Sequence, residues 1–130
     1  MLGTTGTISK LAPVPRHVTP ARDLDSMGAM TITIRVPGAV FTEREHVVPL
    51  DHARPDGPKI TVFTREVADP GGLEKPYLVF LQGGPGFEAT RPTSPPSGWM
   101  ARALKDFRVL LLDQRGTGRS TPVGMAIPGA

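Results

Sequence analysis

The sequence contains no cysteine, so disulfides and thiolate metal sites are unavailable to it, and the lack fits a reducing compartment. No stretch approaches the roughly 18 consecutive apolar residues of a membrane-spanning helix. The N-terminus has no apolar segment long enough for a signal peptide. Together these features predict a cytoplasmic chain with no membrane partner. Runs of one charge are missing too. Fifteen Lys and Arg stand against 12 Asp and Glu, a formal net charge of +3, and the basic residues are scattered along the chain. That distribution argues against a nucleic-acid partner.

The residues present point to a small globular unit rich in turns. With 130 residues the chain is long enough for one domain, which would bury roughly two-thirds of its unfolded surface. Fifteen Gly and 15 Pro make up nearly a quarter of it and imply many turns. Residues 1–29 lack sustained periodicity and hold three prolines among small and polar residues, so they read as a flexible leader. Residues 123–130, VGMAIPGA, carry no clear element and read as a tail.

Between them, at 30–122, the pattern is that of an α/β unit. In TITIRV, Ile32, Ile34 and Val36 alternate with polar residues as in a half-buried strand. REHVVPL (44–50) and KITVFTREV (59–67) are two further strand candidates, joined by the turn formers of DHARPDGP. The pattern then changes to continuous apolar runs, YLVFL (77–81) and VLLL (109–112), as expected of parallel strands covered on both faces. Between these runs, SGWMARALKDF (97–107) places Met100, Leu104 and Phe107 at helical spacing, with Ser97 as N-cap. The predicted fold is an antiparallel β-ribbon leading into a parallel βαβ unit.

Two glycine-rich loops follow the two apolar strands, where open α/β sheets bind their ligands. The first is Gln82-Gly83-Gly84-Pro85-Gly86-Phe87-Glu88, and the second is Asp113-Gln114-Arg115-Gly116-Thr117-Gly118-Arg119-Ser120. Neither contains the Lys of a phosphate-binding P-loop. A dinucleotide fingerprint fails in the first loop, because Pro85 removes a donor and Glu88 stands where the last glycine belongs. Acyl transfer fits better. A tetrahedral intermediate needs backbone N–H groups aimed at its oxyanion, and Gly84 combines an N–H with no side chain, while Pro85 stiffens the turn.

QGGPGFE, followed about thirty residues later by LLLDQRGTGRSTP, resembles the proline iminopeptidases, serine peptidases of the α/β-hydrolase fold. RVPGAV (35–40) and HVVPLDH (46–52) resemble the amino-terminal strands of longer members. The resemblance implies the amino-terminal part of an α/β-hydrolase sheet that is incomplete here. Gly84 would supply an oxyanion-hole amide, with Gln82, Gly83, Pro85 and Gly86 shaping the loop. Asp113, Gln114, Arg115, Gly116 and Gly118 would form a structural loop that Asp113 and Arg115 fasten as an ion pair. The complete enzyme would take peptides with an N-terminal proline and need no metal or cofactor.

What the sequence lacks limits that expectation. An α/β-hydrolase needs G-x-S-x-G, then an acid, then a histidine, in that order. No G-x-S-x-G occurs, and Ser120 sits in Gly118-Arg119-Ser120-Thr121-Pro122, where proline replaces the last glycine. His17, His46 and His52 all precede the first loop. The 130 residues therefore read as a portion that is inactive alone. By the same resemblance, the strand at 77–81 would be flanked by a strand beyond residue 130, so an unpaired apolar edge is expected. The alternatives are another α/β-hydrolase, such as an epoxide hydrolase with a similar D-x-R-G-x-G-x-S loop, or a non-catalytic remnant.

Overall fold

The computed structural model describes residues 21–24, 30–84 and 86–122. Their strands are β1 (Ala21–Leu24), β2 (Met30–Val36), β3 (Ala39–Pro49), β4 (Lys59–Ala68), β5 (Tyr77–Leu81) and β6 (Arg108–Asp113), and the helix α1 (Gly98–Ala103) lies before β6. All six strands join one sheet in the order β1-β2-β3-β4-β6-β5. Neighbours are antiparallel except β5 and β6, which run parallel. A mixed sheet of this kind, ribbon first and parallel pair last, is the predicted α/β architecture.

The ribbon is longer than its sequence pattern suggests. β3 begins at Ala39, directly after a turn at Gly38 with φ +78, and not at Arg44. Its first residues, AVFT, do not alternate in polarity because both faces of the strand are buried there. β1 falls inside the stretch read as a flexible leader and pairs with β2 from Ala21↔Thr33 to Leu24↔Met30. A four-residue strand is too short to show a period, and the outer edge of β2 gives its backbone a partner. The rest of the leader, the tail at 123–130, His17 and Pro85 lie outside the described residues.

The register sorts the side chains into two faces. On one face Phe41 of β3, Val67 of β4, and Val109 and Leu111 of β6 pack together, and Met100 of α1 and Leu104 just past its end lie onto them. Ala39 and Ala89 complete this core. Farther along the same face the residue types turn ionic, through Glu43, Arg65 and Asp113. The predicted helix over 97–107 is regular only at Gly98–Ala103, with Ser97 at the N-cap position but making no side-chain cap bond. Turns close it, through Leu104 N–H to Met100 O (3.0 Å) and Phe107 N–H to Ala103 O (2.9 Å).

The expectation that both parallel strands are covered on both faces is corrected. β6 is buried only at alternate residues, and β5 is open, with Val79 51% and Leu81 60% exposed. The physical reason is coverage: α1 is the one helix among the described residues, and no described strand pairs with the outer side of β5. An apolar run gives the same sequence signal at a sheet edge as at its centre.

Candidate functional site

Because β5 and β6 are parallel neighbours, both glycine-rich loops leave the same end of the sheet. They are built differently. In the first loop Gly84 has φ +144 and Gly86 φ +101, conformations that a side chain strains. A Cβ on Gly84 would stand 2.6 Å from Cδ2 of Phe87, whereas one on Gly83 would meet nothing within 4 Å. Space around Gly83 is therefore open, and packing does not require a glycine there. Gln82 offers its carbonyl to Gln114 Nε2 at 3.3 Å, a direct bond between the two loops.

The second loop is held by a buried carboxylate. Asp113, 1% exposed, accepts bonds from Ala89 N–H (3.0 Å), Arg91 Nη1 (2.6 Å) and Arg119 N–H (2.9 Å). It thereby joins the end of the first loop's segment to the turn of the second. Gly118, φ +48, lies so close over it that a Cβ would overlap the carboxylate and stand 2.6 Å from Glu88 Cβ. Gly116, at φ +80, makes a bridge to Pro122. Thr117 Oγ1 donates to Gln114 O at 2.8 Å.

The expected Asp113–Arg115 ion pair is not formed. Arg115 points across to the β3–β4 turn, donating to Leu50 O (2.8 Å) and Pro49 O (2.9 Å) and contacting His52 Nε2 at 2.8 Å. The partner of Asp113 is Arg91, from the long loop, and spacing gives no sign of that choice. Arg91 also pairs with Glu88 at 2.8 Å and lies over the Phe63 ring. Burial of the carboxylate decides the matter, since a buried charge must find a cation and its hydrogen bonds together.

Ser120 is structural, as its sequence position suggests. It is 1% exposed, accepts from Phe63 N–H (2.9 Å) and donates to Asp113 O (2.6 Å), so no free hydroxyl faces a substrate. His46 bonds Thr64 Oγ1 at 2.9 Å. Beside the loops, Glu43 takes Arg65 and, at 2.8 Å, Arg119. Burial pushes the Glu43 carboxyl up, but the hydrogen bonds and charges of Arg65 and Arg119 outweigh it and hold the group below its ordinary value of 4.5. Among the described residues no three His, Asp or Glu side chains gather as a metal site.

An open cleft of about 370 Å³ lies next to Gln82, walled by Phe80, Thr90, Trp99, Met100 and Leu111. Trp99 stacks on Phe80 with ring centroids 5.3 Å apart. No sequence pattern marks the cleft, because its lining comes from β5, the long loop, α1 and β6 together.

A bare loop after one parallel strand, clasped by the buried aspartate of the next, on a sheet entered through an antiparallel ribbon, is consistent with the amino-terminal part of an α/β-hydrolase. The particular likeness is to proline iminopeptidases. The chain is 58% identical over 79 residues to a proline iminopeptidase of Aeromonas sobria, a match covering 58% of this chain and 18% of that protein. It is 40% identical over 80 residues to the proline iminopeptidase aneH of Aspergillus aculeatus, covering 58% of this chain and 17% of that one. The match thus spans less than a fifth of these relatives. No family model matches the chain.

Proposed function

We propose that residues 30–122 are the oxyanion-loop portion of a serine aminopeptidase that releases N-terminal proline from peptides. The observation that carries this reading is the 58% identity to the Aeromonas sobria protein. In it, Gly84 N–H donates to the oxyanion of the tetrahedral intermediate, and the missing side chain lets the scissile carbonyl come close. The Asp113 clasp holds the loop so that the amide need not reorganise during reaction. Nucleophile, acid and base come from outside these 130 residues, so the chain alone has no peptidase activity. A cytoplasmic location goes with the proposal.

The test grafts residues 30–122 into the corresponding part of the Aeromonas sobria proline iminopeptidase. The chimaera is expected to hydrolyse a proline arylamide and to react with a fluorophosphonate, while the chain alone does neither. Gly84→Ala, which strains the backbone and collides with Phe87, is expected to lower kcat by about 10²-fold, the usual effect of losing an oxyanion donor. Gly83→Ala is expected to leave kcat near the parent value. A folded chimaera without hydrolysis would sink the peptidase reading. Equal kcat for the two variants would sink the role of Gly84.

A further inference from the structure

We infer that Gln114 is a positioning residue that fixes the peptide plane leading into Gly84, an inference that rests on the reading of Gly84 as the oxyanion amide. In a parallel pair, alternate residues turn both N–H and C=O toward the neighbouring strand. Arg108 N–H donates to Pro76 O at 2.9 Å, so Pro76, Leu78, Phe80 and Gln82 turn their backbone groups toward β6. The paired register closes at Leu81↔Leu112. The next carbonyl on that side, Gln82 O, is taken at 3.3 Å by the Gln114 side chain, in place of a main-chain rung. A carbonyl only accepts, so the amide turns its NH2 group toward it.

The base of that side chain is rigid. Gln114 O accepts from Thr117 N–H at 3.0 Å and from Thr117 Oγ1 at 2.8 Å. Asp113, on one side of it, gathers Ala89, Arg91 and Arg119. Arg115, on the other, donates to the carbonyls of Leu50 and Pro49. An amide carried on a backbone tied at three consecutive residues is a fixed support, the condition for holding a neighbouring loop in place. The residue type matters as well. A glutamate here would set a negative oxygen against the carbonyl that Gln114 now satisfies.

Where the bond falls decides what it controls. Asp113 grips the first loop at Ala89, five residues after Gly84, whereas Gln114 grips it at Gln82, two residues before. The peptide unit is planar, so holding Gln82 O also holds Gly83 N–H, which points the opposite way. Only the two torsions of Gly83 then separate this plane from the one that carries Gly84 N–H. Packing leaves those torsions free, because a Cβ on Gly83 would meet nothing within 4 Å. Among the described residues no main-chain hydrogen bond outside the strands reaches Gly83 or Gly84. The Gln114 bond is therefore the nearest restraint upstream of the candidate amide.

Nitrogen-15 relaxation of the 130-residue chain reads the restraint without any activity. Gln114→Met keeps the length and loses the donor. It is expected to lower the order parameters of the Gly83 and Gly84 amides from about 0.85 to below about 0.6, with the β3 amides unchanged. Gln114→Lys returns a donor and is expected to restore them. Should Gln114→Met lose its fold, Gln114→Glu decides, because it is polar, of equal length and accepts only. In the chimaera carrying residues 30–122, Gln114→Met is expected to lower kcat about 3- to 10-fold per fluorophosphonate-titrated site, with KM unchanged. That is the effect of one ordinary hydrogen bond felt in the transition state alone. A merely structural role would lower the number of titrated sites and not kcat per site. Unchanged order parameters, equal kcat for parent and Gln114→Met in an active chimaera, or no recovery in Gln114→Lys would each overturn the proposal. A folded but inactive chimaera, with Gly84 still loosened by Gln114→Met, would sink the peptidase reading and support the hold of Gln114 on the loop.

Discussion

The two glycine-rich loops lie side by side at the same end of the sheet and use glycine for opposite reasons. In the second, Gly118 is glycine because Asp113 and Glu88 already occupy the place of its side chain. In the first, nothing stands within 4 Å of a Cβ on Gly83, and Gly84 and Gly86 have backbone angles that only glycine adopts freely. The second loop is crowded at Gly118, whereas the first is open at Gly83 and Gly86 and meets only the Phe87 ring at Gly84. Glycine content alone therefore does not mark a site. A positive φ with open space around it is the better sign, and it falls on Gly86, while Gly84 is forced by its φ and closed only by the Phe87 ring.

Removing the clasp should break this contrast most strongly. Asp113→Ala leaves the guanidinium of Arg91 and the N–H groups of Ala89 and Arg119 without their common acceptor. Loss of one partner of a buried ion pair costs about 3–5 kcal/mol, and urea unfolding followed by tryptophan fluorescence would show it. A loss below about 1 kcal/mol would mean that the carboxylate does not hold the loops.

The glycines themselves sharpen it. Gly118→Ala is expected to lose about 1–2 kcal/mol from the left-handed backbone alone, and more from the overlap with Asp113. Gly83→Ala is expected to stay within about 0.5 kcal/mol of the parent, as at other open surface positions. Equal losses in the two loops would erase the distinction.

The smallest expected effect concerns pH. Glu43 has its folded-state pKa held below the ordinary 4.5, so the unfolded chain binds the proton more readily. Its contribution is thus present above about pH 4.5 and lost as pH falls through the lower folded value. Stability curves should converge for parent and Glu43→Gln on acidification. Tyr77 behaves in the opposite sense at high pH. Burial first, then the Glu66 carboxylate that its hydroxyl meets at 2.9 Å, raise it above 10.0. Its contribution is present below that value and lost as pH climbs through the raised one.

Much of this was legible in the residues, and the failures share a cause. Alternation in TITIRV and the run VLLL located β2 and β6, and the turn formers of DHARPDGP placed the β3–β4 connection. The loops were found by composition. Partner choice was not, because Arg91 and Arg115 are the same residue type, and only the fold brings the former to Asp113 and sends the latter to Leu50. Exposure of β5 is not legible in its residues, since apolar content says how a strand would best be covered, not whether it is. β1 was hidden for another reason: backbone pairing leaves no trace in four residues.

Asp113 lies at the end of β6, and the backbone it fastens at Ala89 was made 24 residues earlier. The candidate site therefore has an order in time. During synthesis the residues of the first loop precede their anchor, because Asp113 and the Arg119 N–H that shares it come later in the chain. A sequence change near Asp113 thus reaches the first glycine-rich loop as a change in when, and whether, that loop is finished.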